Sequence, residues 1–170
     1  MPRRSSCRRA ALVALAAVAL AAICPGATRA ESPLVGELRE MALRYHEDLP
    51  RLDRLYRDLA QVAKTDGAVE NWIALAHVSF IWGDVRARTP EEKLEAYDRG
   101  REAGKRAAEL APRHPLAHFW LATNAGRWGQ TKGVMRSLFL LPTVNEEMQL
   151  ALELDPKLVG AYSLAGSVYY

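Results

Sequence analysis

The sequence predicts an all-α fold, an antiparallel helix-pair solenoid, and three observations carry that prediction. Apolar residues recur at three- and four-residue steps, as in Leu52, Leu55, Leu59 and Val62, the spacing of one helical face. No run of alternating β-branched residues marks a strand. Two segments, RAAELAPRHPLAHFWLA at 106–122 and LALELDPKLVGAYSLAG at 150–166, align without gaps. Ala107, Leu110, Pro112 and Ala117 fall on Ala151, Leu154, Pro156 and Ala161, a period of 44 residues. A helix pair cannot bury its apolar faces alone, so repeated pairs stack.

The first thirty residues differ from the rest. MPRRSSCRR is basic, AALVALAAVALAAI is an apolar run, and CPGATRAES supplies helix breakers and small residues. That order is a secretory signal peptide, with cleavage expected after Ala30 in preference to Ala27. The apolar run of fourteen residues is shorter than the roughly 20 a spanning helix needs. The bulky Ile23 argues against lipid attachment at Cys24, and Arg3-Arg4 lacks the flanks of a twin-arginine signal. The expected product is residues 31–170, periplasmic, with no membrane span.

Removing residues 1–30 changes the charge. The full chain is +3, but the leader holds five arginines and no acid, leaving 18 basic against 20 acidic residues, or −2. The high pI therefore makes no case for nucleic acid. Cys7 and Cys24 leave with the leader, so the mature chain has no disulfide or thiol chemistry. An apolar core must hold it, which its length allows.

The elements follow in order. Leu34, Leu38, Met41 and Tyr45 open a helix, and after a break at Pro50 the leucines from Leu52 to Leu59 continue it. Gly67 stops that helix. NWIALAHVSFIW at 71–82 is a second apolar helix, expected to end at Gly83-Asp84. Thr89 caps the next, with Pro90 at its first position and Glu91 and Glu92 in its first turn. It runs to about Leu110, before Pro112. Helices at 117–128 and over AYSLAGSVYY at 161–170 start the repeated units. GQTKG at 129–133 reads as a connector, and the apolar VMRSLFLL at 134–141 as an insertion tucked into the core. AYSLAGSVYY has neither a partner helix nor a polar cap, so the domain is expected to be C-terminally truncated or covered by a neighbour.

The A-x-x-L-x-P end of one helix, followed by Tyr162, Ala165, Gly166 and Tyr169 in the next, resembles a tetratricopeptide repeat. His118, Leu121, Ala122 and Ala125 match the same places more loosely. The AH-x-W helix start, the Gly-Arg-Trp end, the inserted apolar segment and the L-D-P turn narrow the resemblance to divergent repeat families. One comprises the periplasmic repeat proteins associated with TRAP transporters. The other is the regulator-of-microtubule-dynamics family. The resemblance covers about residues 60–170. It implies a superhelix of helix pairs that binds a partner, and the first family implies the solute-binding component of a transporter.

Signals for chemistry are weak. His114 and His118 stand four apart, but Pro115 pushes His114 out of the helix, no Glu follows it, and no third ligand is clustered nearby. No metal or cofactor site is expected. No G-x-S-x-G occurs, and Glu91-Glu92 and Glu146-Glu147 both read as helix-start acids. An enzyme is therefore not expected. Trp120, Asn124, Arg127 and Trp128 form a stripe, and two readings of it stay open. Trp120 and Trp128 pack on the inserted segment, or Trp120, Asn124 and Arg127 line a groove with Lys132 and Arg136 near its mouth. Arginine and aromatic walls suit a carboxylate ligand or a peptide. The expected function is a periplasmic scaffold that binds a partner protein or peptide, with a carrier of a small anionic or apolar ligand as the alternative.

Overall fold

A computed structural model describes residues 32–169 of the chain. The expected signal peptide and its cleavage site lie outside the described residues. Among those residues there are seven α-helices and no strand: α1 (Pro33–Met41), α2 (Leu49–Asp66), α3 (Val69–Val85), α4 (Pro90–Leu110), α5 (Pro115–Lys132), α6 (Val134–Leu154) and α7 (Val159–Tyr169). Consecutive helices pack on each other, as the helix-pair reading predicts. The odd helices also meet, α1 against α3 and α3 against α5, and so form one layer of the stack.

Local signals place the helix ends. Asp48 accepts the Arg51 backbone N–H at 2.9 Å, so α2 starts at Leu49 and Pro50 sits in its first turn, where a missing N–H costs little. Gly67 takes φ 68° and closes α2 in the left-handed conformation that favours glycine. Thr89 and Glu92 form a reciprocal capping box at the start of α4, with Pro90 just inside. His114 is the N-cap of α5, outside the helix that carries His118.

The core is three clusters, and Trp120 packs against all of them. Leu52, Leu55 and Leu59 of α2 pack on Leu75, Val78 and Ile81 of α3. Phe119, Ala122 and Ala125 of α5 pack on Val144, Met148 and Ala151 of α6. Polar staples tie the first pair. Asp53 accepts from the Trp82 indole at 2.8 Å and from Arg86 at 2.7 and 2.9 Å. The Arg86 guanidinium holds the Asp53 carboxyl below its usual range.

Four expectations are corrected. α3 does not stop at Gly83; it runs to Val85, and Gly83 serves the packing, since a Cβ there would stand 2.5 Å from the Tyr97 ring. GQTKG is not a loop: Gly129–Lys132 is the last turn of α5, and Gly133 alone, at φ 107°, joins it to α6. The extra residues of the long repeat lengthen helices instead of forming a separate insertion. Residues 134–141 are thus the first half of α6, and Val134, Met135, Leu138 and Phe139 are exposed, contrary to the expected burial. Because α6 starts so early, Glu146 and Glu147 lie in its middle and are not helix-start acids.

α4 reaches its neighbours through small residues: Ala96, Gly100, Ala103, Gly104 and Ala107 are all buried. A Cβ at Gly104 would meet the Leu121 backbone at 2.8 Å, whereas one at Gly126 finds only a Val144 methyl at 4.0 Å. We expect Gly104→Ala to lower unfolding free energy by about 1–3 kcal/mol through overpacking. Gly126→Ala should instead leave it unchanged or raise it by up to about 1 kcal/mol. Urea denaturation of both variants checks this, and an equal response would contradict the close α4–α5 contact.

Candidate functional site

Trp120 organises the layer of odd helices. It projects from α5 towards α3, where its indole stacks on the His77 imidazole with ring centres 3.9 Å apart and planes 16° apart. Phe80 lies 5.7 Å away in a tilted arrangement, and Phe119 meets it edge-on at 4.6 Å. α3 carries His77 and Phe80 one turn apart, so both rings point to the same α5 neighbour.

Two hollows flank the indole. The first, about 440 Å³, is bounded by Val35 and Leu38 of α1, Ile73 and His77 of α3, and His114 and Leu116 of α5. The second, about 340 Å³, lies between Phe80, Phe119, Thr123, Arg127 and Val144, with Gly160 of α7 at its edge. Trp120 lines both. Their walls are mainly apolar, with a few polar groups in fixed places, as in sites that bind by burial and orient by hydrogen bonding.

The polar groups differ in character. His77 is held neutral: burial under the Trp120 indole disfavours the imidazolium and lowers its pKa to about 4. His114 has a buried Nδ1 without a hydrogen bond among the described residues. Arg127 reaches across to Asp84 at 2.8 Å, and its guanidinium lies 5.6 Å from the Phe80 ring centre. Asp84 also accepts from the Tyr97 hydroxyl at 2.5 Å, and burial together with that carboxylate pushes the phenol's pKa up. Arg127 is therefore a tied wall of the second hollow.

The stripe expected on α5 splits into separate roles. Trp120 and Arg127 face the hollows. Asn124 lines no groove; it is fully buried, and its amide donates to the Ala76 carbonyl at 3.0 Å and to the Trp120 carbonyl at 2.8 Å. A residue four after Trp120 shares its face in projection, but the close approach of α3 and α4 encloses it. Trp128 turns the other way, towards Arg101 of α4 at 5.0 Å, with Lys132 at 5.6 Å. Arg136 is exposed on α6, outside both hollows. Trp120 packs on His77 and Phe80 of α3 and not on residues 134–141.

The reading of the sequence missed His77, Phe80, Phe119 and Thr123. α3 is apolar on all sides, so no polar contrast singles out a face, and only the stacking partner on α5 reveals His77. It placed His118 at a repeat position, in the joint between helix pairs, but did not give the partners that ring takes. That buried ring sits with Nδ1 2.6 Å from Glu147 and Nε2 2.9 Å from the Pro112 carbonyl. Its two contacts link the end of one repeat to the start of the next. Among the described residues no three metal-binding side chains come together, and no helix is long and apolar enough to cross a membrane.

Paired helices stacked in chain order, with ring-lined hollows on the odd helices, define an α-helical, solenoid-like protein. A family model described as regulator of microtubule dynamics protein 1-3 matches residues 35–170, and the chain belongs to that family. Comparison with curated proteins and with solved structures gives no match.

The His77 environment has a measurable consequence. Its folded pKa lies below the unfolded value of about 6.5. Its contribution is thus fully present above that pH and is lost as pH falls towards 4. Urea unfolding of the wild type should lose up to about 3 kcal/mol more than His77→Phe between pH 7 and pH 4. Identical pH slopes for the two proteins would contradict the burial of a neutral imidazole.

Proposed function

We propose that the chain is a binding module built of divergent tetratricopeptide-like pairs, and that its odd-helix face holds an extended segment of a partner protein. The observation that carries this is Trp120, stacked on His77 at the boundary of two apolar hollows. Large apolar side chains two to four residues apart in a peptide can enter the hollows on either side of the indole. Polar groups at the rim, Glu70 and Arg39 in the first and Gln130 in the second, then meet its backbone. Binding alone is the proposed activity, without catalysis or a cofactor.

The resemblance to repeat proteins that accompany TRAP transporters supports the solute-binding component of such a transporter as the partner. Export also belongs to this reading: residues 1–30 act as a signal peptide and the mature chain is periplasmic. N-terminal sequencing of the protein from a periplasmic fraction should begin at Glu31; a start at Met1 would remove the export part of the proposal.

A carrier role for a small apolar ligand is the second reading. The unpartnered Nδ1 of His114 in the wall of the first hollow favours it, because a ligand hydroxyl or amide can donate there. Trp120 also packs against the core, so Trp120→Ala is shown to be folded by circular dichroism before it is compared with Arg136→Ala. Isothermal titration with the purified solute-binding partner should show affinity reduced at least tenfold by Trp120→Ala, an aromatic anchor of about 2 kcal/mol or more, and unchanged by Arg136→Ala. No binding by the wild type, together with a small molecule of fixed mass in native mass spectrometry, would replace the first reading with the second.

A further inference from the structure

α4 and α6 are both 21 residues long and begin 44 residues apart, so their positions correspond one to one. Where α4 carries Glu91 and Glu95, α6 carries Met135 and Phe139. These are exposed by 67% and 73%, and Val134 and Leu138 by 76% and 57%. At 100° per residue the four fall within an arc of about 140°, turned away from the buried Val144 and Met148. The fold does not require all of this, since the same four places in α4 hold Pro90, Glu91, Leu94 and Glu95, two of them charged. A contiguous apolar arc of this kind on a surface marks an interaction site.

The surrounding charge selects the partner. From Ala111 to Asn145 the chain has no acidic residue, yet it holds Arg113, Arg127, Lys132 and Arg136. Lys132 and Arg136 bracket the one-residue turn at Gly133, beside the apolar arc, and neither pairs with an acid among the described residues. A second copy docked face to face would bring these cations together with no carboxylate at the hairpin tip, before Glu146, to offset them. Side chains more than half exposed, as all four are, stand proud of the surface and suit insertion better than the reception of a peptide. An apolar edge flanked by lysine and arginine matches the boundary between acyl chains and anionic headgroups.

We propose that the tip of the α5–α6 hairpin docks on membrane surfaces that carry anionic lipid. Val134, Met135, Leu138 and Phe139 enter the headgroup–acyl boundary, and Lys132 and Arg136 meet lipid phosphates. The helix lies on the bilayer, since no described helix is long and apolar enough to cross it. This assignment is independent of the odd-helix face.

The test uses the mature chain from Glu31, which has no cysteine of its own, with an environment-sensitive dye on Leu138→Cys, so that the readout is local to the tip. Vesicles of phosphatidylcholine with phosphatidylglycerol should shift the dye emission to the blue, and phosphatidylcholine alone should not. Met135→Glu with Phe139→Glu, which copies the charges of α4 and so preserves the helix, should abolish the shift. Lys132→Ala with Arg136→Ala should weaken binding to the anionic vesicles about thirtyfold. Circular dichroism confirms that each variant is folded. Equal shifts on both vesicle types, no shift on either, or a shift that follows protein concentration without vesicles and so reports self-association, would each overturn the proposal.

Discussion

The rest of the structure depends on how closely α4 approaches α5. Gly100 and Gly104 remove side chains where the two helices cross, and Asn124 fills the space left beside Gly100. The Asn124 amide then reaches the Ala76 carbonyl of α3, so one buried side chain on α5 touches α4 and bonds α3. A buried amide N–H without its carbonyl there would cost about 1–3 kcal/mol, so the bond selects one arrangement of three helices as well as stabilising it. Small residues set the distance and the amide sets the register.

That register aims Trp120. With Asn124 locked four residues later on the same helix, the indole has one direction to take, across His77. Apolar packing alone tolerates slippage between helices, but a buried donor aimed at a particular carbonyl does not. His118 plays the corresponding part at the next joint, where its ring spans Glu147 and the Pro112 carbonyl. The stack is thus apolar in bulk and polar at its joints. The hollows on the odd helices arise where rings meet at fixed spacing.

Much of the architecture was legible in the sequence. Pro112 and Pro156 gave the period, Thr89-Pro90 a helix start, and Gly67 a helix end, because each acts through local backbone chemistry. What could not be read depended on contacts between distant residues. Gly83 looked like a stop but lies inside α3, since Tyr97 needs the room. Gly129 and Gly133 look alike in sequence, yet the first is buried in a helix and only the second turns the chain. Residues 134–141 are apolar enough for a core, and hydrophobicity alone does not reveal that they extend past it. Trp120 was singled out as the open question of its helix, and it lines both hollows. Asn124 was misplaced, because helical projection gives the direction of a side chain and not what covers it.

The central claim is that Asn124 joins α3, α4 and α5 into one cooperative unit that presents Trp120. Native-state hydrogen exchange on Asn124→Leu measures this most directly. The account predicts that amide protection in α3, α4 and α5 falls together and by a similar factor, while the α2 amides packed on the Leu52–Leu59 cluster change less. Loss of protection confined to the turns of α5 around residue 124 would contradict it.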